Sequence, residues 1–164
     1  MSTPFISIII PTYMRNEKIM RAISSVLREK GSYELIVVDD NDSGSDFRKE
    51  NEKLLKPFVE NHMITYVKHE FNMNGAAARN TGIAAAQGQY VTFLDDDDEF
   101  CNNRLGELVK HIVPHNPDFV YTGYKLCSNS KVYNITACPP EEPIDQLIVD
   151  VLKHRTFIGT GSNL

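Results

Sequence analysis

Short apolar runs alternate with helix-like patterns along this chain, and that alternation limits the possible fold more than any other feature. Phe5 to Ile10 and "ELIVV" at residues 34–38 are continuous and β-branched, which is typical of strands buried on both faces. The segment between them has apolar residues at the spacing of an amphipathic helix, namely Ile19, Ala22, Ile23, Val26 and Leu27. Gly31 is placed to end that helix, so the pattern predicts a strand, a helix and a second strand.

The same alternation continues along the chain. The further predicted elements are a helix at 46–61, a strand at 63–69, a helix at 76–86, a strand at 90–94, a helix at 104–115 and a strand at 119–124. Ser45 can cap the first of these helices, and Pro57 must kink or end it. Gly88 lies just past the alanine-rich helix. Strands that alternate with helices predict an α/β domain with a mainly parallel sheet.

Length, charge and cysteine content narrow the class of protein. A chain of 164 residues with 41% hydrophobic residues is large enough for one globular domain. The net charge of −5 and the lack of a Lys/Arg cluster predict no nucleic acid partner, because phosphate binding needs a basic face. The three cysteines, Cys101, Cys127 and Cys138, form no CxxC pair and favour reduced thiols over a disulfide framework or a zinc site.

The apolar run near the start of the chain lacks the pattern of a targeting or membrane segment. No basic region precedes "FISIII", and Pro11 ends the run well before a span of about 20 apolar residues is complete. We therefore predict no transmembrane segment and a cytoplasmic location, which allows peripheral association with the inner face of a membrane.

Several common catalytic and nucleotide-binding motifs are missing from the sequence. "PTYMRNE" follows the first strand without a glycine, which excludes the glycine-rich loops that bind dinucleotides or phosphates. The five histidines form no HExxH pattern, and there is no Gly-x-Ser-x-Gly or Cys/His signature. A phosphate-containing ligand would therefore need other contacts, such as a metal ion held by oxygen ligands.

Three predicted strands end in polar sequences: "PTY" at 11–13, "DDND" at 39–42 and "DDDDE" at 95–99. Ligands of open parallel sheets bind outside the carboxyl ends of the strands, so these segments form the candidate site. The run from Asp95 to Asp98 offers the hard oxygen ligands that Mg²⁺ or Mn²⁺ prefers. One carboxylate can bind the metal and another a ribose hydroxyl; the alternative is a solvated turn with helix-capping aspartates.

The other polar strand ends suit a nucleotide as well. Asp39 or Asp40 can accept a hydrogen bond from a base N–H, and Tyr13 offers a ring for stacking. An ordinary polar loop is the alternative for both aspartates. Arg79 lies in an otherwise small, apolar helix, where it can reach a phosphate or base, or pair with one of the aspartates.

Four segments together resemble glycosyltransferase family 2. They are "SIIIPTYMRNEKIMRAISSVL", "ELIVVDDNDS", "NGAAARNTGIAAAQGQYVTFLDDDD" and the late "GTGSNL". The resemblance implies the GT-A fold, a Rossmann-like three-layer sandwich with a mainly parallel central sheet. It also implies an inverting transfer of sugar from a nucleotide-sugar donor, with UDP-sugar as the first choice, to a saccharide or lipid-linked acceptor in cell-surface polysaccharide synthesis.

The resemblance also implies roles for individual residues. Pro11, Thr12 and Tyr13 match the segment that lines the base pocket, and either Asp39 or Asp40 matches the carboxylate that contacts the base or ribose.

In the second half of the site, Arg79 matches a nucleotide-facing arginine of the alanine-rich helix. Asp95 and Asp97 match the Asp-x-Asp motif, in which the second aspartate binds Mn²⁺ or Mg²⁺. Asp96 and Asp98 are the alternates, and Asp96 is counted with the nucleotide-sugar contacts.

No general base is assigned. The base of the family lies beyond the "GSNL" segment, and this chain ends at Leu164. We therefore expect residues 1–164 to be the donor-binding part of a GT-A domain that stops short of its C-terminal end. A nucleotide-binding module without turnover is the alternative, and a nucleotidyltransferase ranks below both because "PTYMRNEK" lacks a glycine-rich loop. The sequence predicts neither the sugar nor the oligomeric state.

Overall fold

The computed structural model describes residues 4–118, 120, 122–128 and 131–135. The elements in chain order are β1 (Ile6–Thr12), α1 (Asn16–Leu27), β2 (Tyr33–Asp39), α2 (Asp46–Glu60), β3 (Thr65–Lys68), α3 (Asn74–Ala85), β4 (Tyr90–Phe93), α4 (Arg104–His115), β5 (Tyr124–Ser128) and β6 (Lys131–Ile135). The first four strands form one parallel sheet in the order β3-β2-β1-β4, with β1 and β2 at its centre. This confirms the predicted α/β fold with a mainly parallel sheet.

Helices cover both faces of β1, which explains its uninterrupted apolar sequence. Ile8 and Ile10 are fully buried in a core with Ile23 of α1 and other residues of the helices on that side. Ile9 points to the opposite face and packs in a second core with Ala78 of α3. Alternate side chains of one strand thus fill the two interfaces of a three-layer sandwich.

Two helices differ from their predicted bounds. Of the two effects predicted for Pro57, a kink or the end of α2, the structure excludes the end, because the helix continues to Glu60. A proline this close to the C-terminus removes only one hydrogen bond, and its own carbonyl accepts from the backbone and side-chain N–H groups of Asn61. Helix α3 begins earlier than predicted, where the Asn74 side chain accepts from two backbone N–H groups of the first turn.

The strand predicted at 119–124 falls partly outside the described residues, and the described residues Val120, Thr122 and Gly123 are not in a strand. Phe119 and Tyr121 lie outside the described residues, and Tyr124 is the first residue of β5. Strands β5 and β6 form a separate antiparallel sheet that the sequence analysis did not predict. The segment "GTGSNL" also lies outside the described residues. In the part of the chain that is described, no helix is both long and apolar enough to cross a membrane.

Candidate functional site

A cleft of about 400 Å³ opens at the carboxyl ends of β1, β2 and β4, next to the start of α3. Its lining residues are Pro11, Thr12, Tyr13, Arg15, Asp40, Asn72, Asn74, Gly75, Ala78, Arg79, Asp95 and Asp96. The parallel order of the strands brings these distant parts of the chain to one edge of the sheet. The cleft is therefore the candidate site that the polar strand ends predicted.

Asp96 connects the end of β4 to the end of β1. Its Oδ2 accepts from the Thr12 hydroxyl at 2.8 Å, and its Oδ1 lies 3.2 Å from Nη1 of Arg15. The same Nη1 lies 2.6 Å from Oδ2 of Asp97. Burial raises the pKa of Asp96, while the Thr12 hydroxyl and the Arg15 guanidinium counteract part of that rise. Asp96 thus links the ends of β1 and β4 at the cleft from a largely desolvated position.

Basic residues of α1, together with Arg28 directly after it, pair with the other acidic residues that follow β4. Lys18 Nζ lies 3.7 Å from Asp97, Arg21 Nε lies 3.0 Å from Glu99, and Arg28 lies 3.8 Å from the same glutamate. Arg21 also donates to the backbone carbonyl of Asp97 at 2.5 Å. The helix therefore neutralises much of the negative charge that the sequence concentrates after β4.

Arg79 and Asp95 link α3 to the end of β4 across the cleft. Arg79 Nη2 lies 2.6 Å from Oδ1 of Asp95, and each side chain is about one third exposed. Nη1 donates to the Gly75 carbonyl at 3.3 Å. Among the described residues, Nε of Arg79 has no hydrogen-bond acceptor. The pair thus places a guanidinium and a carboxylate where a ligand in the cleft can reach both.

Asp40 is held at the cleft through its backbone and its carboxylate. Its N–H donates to the Thr12 carbonyl at 2.9 Å. The carboxylate accepts from Nδ1 of His69 at 2.7 Å, from Nδ2 of Asn72 at 2.8 Å and from the N–H of Met73 at 2.8 Å. The side chain is almost fully buried, so these contacts fix the orientation of its oxygens.

Asp39 has a different environment from its neighbour. It is fully buried and does not line the cleft. Its Oδ1 accepts from the backbone and side-chain N–H groups of Asn41, and its Oδ2 accepts from Asn51 and from the Tyr66 hydroxyl. Burial raises the pKa of Tyr66, and the hydrogen bond to Asp39 raises it further. Arg48 also forms an ion pair with Asp39, with its Nε 3.3 Å from Oδ1 of Asp39.

Arg48 stabilises the loop behind the cleft. Its buried guanidinium donates to the carbonyl oxygens of Asp39 at 3.0 Å, of His69 at 2.8 Å and of Asn41. These carbonyls belong to the ends of β2 and β3 and to the loop after β2, so one side chain joins two strand ends. This role is structural, since Arg48 does not line the cleft.

The structure brings most of the predicted nucleotide-sugar residues together. Those that line the cleft are Pro11, Thr12, Tyr13, Asp40, Arg79, Asp95 and Asp96. Asp39 and Asp97 do not line the cleft. Asp97 contacts Arg15, which does line it. Sequence analysis missed Arg15, Asn72, Asn74, Gly75 and Ala78. The signal for Asn72, Asn74 and Gly75 was available, because "NMNG" follows the end of β3 at the same edge of the sheet.

Asp95 and Asp97 suit a divalent cation in type and exposure. Both carboxylates are about one third exposed, and each is paired with an arginine. The described residues contain no group of three or more His, Cys, Asp or Glu that could hold a metal ion. Mg²⁺ and similar cations bind through one or two protein carboxylates together with substrate phosphates and water, so two aspartates fit such a site.

Comparison with known proteins places these features in a family. The family described as Glycosyl transferase family 2 matches residues 7–162. An Escherichia coli K12 protein, provisionally named as a colanic acid biosynthesis glycosyl transferase, is 36% identical over 163 residues, which cover 96% of this chain and 56% of that protein. The chain spans about half the length of the curated relatives it matches.

Solved structures confirm the fold. Staphylococcus aureus TarS 1-349 in complex with UDP-GlcNAc has a TM-score of 0.68 and 23% identity, and the match covers 79% of this chain and 37% of TarS 1-349. A mannosyltransferase from Pyrobaculum calidifontis in complex with GDP-Man and Mn²⁺ has a TM-score of 0.58 and 20% identity, over 78% of this chain and 36% of the mannosyltransferase. At these identities the likeness establishes the fold alone, which is GT-A as predicted.

Proposed function

Because this chain belongs to glycosyl transferase family 2, we propose that its cleft binds the nucleotide-sugar donor of an inverting sugar transfer to an acceptor hydroxyl. A UDP-sugar is the first choice of donor, and the acceptor is a saccharide or a lipid-linked saccharide of cell-surface polysaccharide synthesis. The name of the Escherichia coli relative refers to colanic acid biosynthesis, and this name supports the choice of acceptor. The UDP-GlcNAc complex of TarS and the GDP-Man complex of the mannosyltransferase define the two bases to compare first.

The convergence of three kinds of group in one cleft supports this proposal most directly. Tyr13 is 43% exposed and offers an aromatic face for a base, while Asp40 offers a carboxylate for a base or ribose donor. Arg79 offers a guanidinium for a phosphate, and Asp95 offers an acceptor for a ribose hydroxyl. A nucleoside diphosphate carries partners for all of these groups.

A divalent cation belongs to the proposed site. Asp97 and Asp95 would hold it, and the arginines now paired with them, Arg15 and Arg79, would then be free to contact the diphosphate. When bound, Mn²⁺ or Mg²⁺ would neutralise the charge of the leaving diphosphate as a Lewis acid and template. Arg15 and Arg79 can stabilise the same negative charge from the protein side.

Nucleotide-dependent thermal unfolding tests the proposal. UDP, GDP, CDP and dTDP are each added with and without Mn²⁺, and the midpoint of unfolding is measured. A ligand at one hundred times its Kd adds about 2.7 kcal/mol to the free energy of unfolding. We expect UDP to give the largest shift, and we expect that shift to require Mn²⁺.

Substitutions of the acidic residues provide the controls. Asp95→Asn and Asp97→Asn remove the charge but keep the shape, and we expect both to abolish the Mn²⁺-dependent part of the shift. Asp46→Asn is the matched control, because Asp46 is 99% exposed on α2 and lies outside the cleft. The proposal is contradicted if no nucleotide shifts the wild-type midpoint, or if both variants retain the full Mn²⁺-dependent shift. If the proposal stands, release of sugar or nucleotide from a UDP-sugar would distinguish a transferase from a binding module without turnover.

A further inference from the structure

The carboxylate of Asp40 has one acceptor position that its contacts with the described residues leave available. Oδ1 accepts from Nδ1 of His69 and from the backbone N–H of Met73. Oδ2 accepts from Nδ2 of Asn72, and the described residues supply no other hydrogen bond to it. Each oxygen of an ionised carboxylate offers two lone pairs, so Oδ2 can accept one more hydrogen bond. Because Asp40 lines the cleft, a hydrogen-bond donor of a ligand in the cleft can fill this remaining acceptor position of Oδ2.

His69 is the buried side chain that fixes this orientation. Its ring is held at both nitrogens, by Asp40 at Nδ1 and by the Thr81 hydroxyl of α3 at Nε2, 2.8 Å away. Its backbone is held as well, because its N–H donates to the Asp39 carbonyl and its carbonyl accepts from Arg48. With 8% of its surface exposed, His69 has little freedom to turn away from Asp40.

The direction of the hydrogen bond follows from the chemistry of the two groups. An ionised carboxylate can only accept, so Nδ1 of His69 carries the proton. Nε2 then accepts from the Thr81 hydroxyl in the neutral ring and donates to it in the charged ring. The contact with Asp40 is the same in both states.

We propose that His69 is a positioning residue for nucleobase selection, because its Nδ1–H fixes Oδ1 of Asp40 and leaves Oδ2 to accept an N–H group of the base. This inference rests on the proposed function, in which the cleft binds a nucleotide. Uracil presents such a group at N3, whereas cytosine held in the same pose presents an acceptor at N3 and carries its N–H donors on the neighbouring 4-amino group, so its N3 would face the carboxylate unfavourably. The arrangement therefore selects UDP over CDP.

Two substitutions of His69 separate positioning from packing. The amide nitrogen of Asn in His69→Asn lies near the place of Nδ1 and can still donate to Asp40, whereas that of Gln in His69→Gln lies near the place of Nε2. Titration calorimetry with UDP and with CDP, each with Mn²⁺, measures both affinities. We expect His69→Asn to keep most of the UDP preference, and His69→Gln to lower UDP affinity about tenfold with a smaller change for CDP.

Two further variants complete the experiment. Thr81→Val removes the partner of Nε2 without changing Asp40, so we expect a partial loss of the UDP preference. This variant tests the inference if the His69 variants fail to fold. His111→Gln is the matched control, because His111 is exposed on α4 and should change neither affinity.

The outcomes distinguish this inference from the proposed function. If the wild-type protein binds UDP but the Asn, Gln and Val variants keep the wild-type ratio of UDP to CDP affinity, His69 is only structural and the inference is overturned. If the wild-type protein binds UDP and CDP equally, the inference is also overturned, while nucleotide binding stands. If it binds neither UDP nor CDP, the inference is overturned, and the proposed function fails with it only when GDP and dTDP also leave the unfolding midpoint unchanged.

Discussion

Neighbouring aspartates of one run have different roles because their surroundings differ. Asp95 pairs with Arg79 at the cleft, whereas Asp96 is buried against Thr12. Asp97 is partly exposed and pairs with Arg15. The repulsion expected between adjacent carboxylates is thus relieved by basic and hydroxyl partners from β1, α1 and α3.

Asp96→Asn tests the buried member of this run through the pH dependence of folding. Burial raises the pKa of Asp96 above its ordinary value of 3.8, so the folded protein binds this proton more tightly than the unfolded chain does. The ionised form therefore opposes folding at neutral pH, and this effect disappears as the pH falls through the raised pKa toward 3.8. We expect Asp96→Asn to be more stable than the wild type near pH 7, with an advantage that shrinks as the pH falls.

Urea unfolding at a series of pH values measures this difference. Asp46→Asn serves again as the control, because the Asp46 side chain is exposed and lies outside the cleft. A difference between Asp96→Asn and the wild type that stays constant from pH 7 to pH 4 would contradict the assignment.

At the level of elements, the close approach of α3 to the sheet positions much of the cleft. A Cβ built on Gly82 would lie 2.4 Å from Cγ2 of Ile9, so only glycine allows this separation between α3 and β1. Ile9 is fully buried and cannot move aside freely. The same helix carries Arg79, which contacts Asp95 across the cleft. The small residues of α3 therefore serve the site as well as the core.

Gly82→Ala tests this close packing. We expect the added methyl group to push α3 away from β1 and to lower the free energy of unfolding by about 1–3 kcal/mol, as measured with urea. We also expect weaker nucleotide binding, because Arg79 moves with the helix. Gly44→Ala is the matched control, since a methyl group added there would meet no atom within 4 Å beyond its chain neighbours. Equal stability of the two variants would show that α3 can accommodate the larger residue without displacement.

For the whole molecule, the distribution of charge limits the kind of partner. The net charge is −5, and basic residues of α1 and the loop before it, such as Arg15, Lys18 and Arg21, are paired with acidic residues after β4. These pairs reduce the number of cations that can replace the counterions of a nucleic acid. In the proposed function, the cleft would still attract a small diphosphate through Arg15, Arg79 and a metal ion.

Fluorescence anisotropy with a labelled DNA duplex tests this expectation. We expect no saturable binding at about 150 mM salt and micromolar protein, because nonspecific affinity depends on neutralising several phosphates. UDP with Mn²⁺ serves as the positive comparison in the same buffer. Saturable, salt-sensitive DNA binding would contradict the prediction from charge.

Sequence analysis predicted the elements with strong periodicity well and those formed by local pairing poorly. Helix α4 was predicted with its observed bounds, since Leu105, Leu108 and Ile112 form one apolar face. The hairpin of β5 and β6 was missed, because antiparallel partners supply its hydrogen bonds and its exposed residues show little apolar pattern.

The sequence by itself determined the order of the elements and which strand ends are polar, because periodicity and turn chemistry are local properties. Only the tertiary structure decided which adjacent carboxylate faces the cleft. Asp39 ends β2 and is enclosed by Arg48, whereas Asp40 lies one residue further and reaches the cleft. It also decided the partner of His69, which is 29 residues from Asp40 in sequence. Such contacts depend on how strands and helices pack, and a local pattern does not specify that packing.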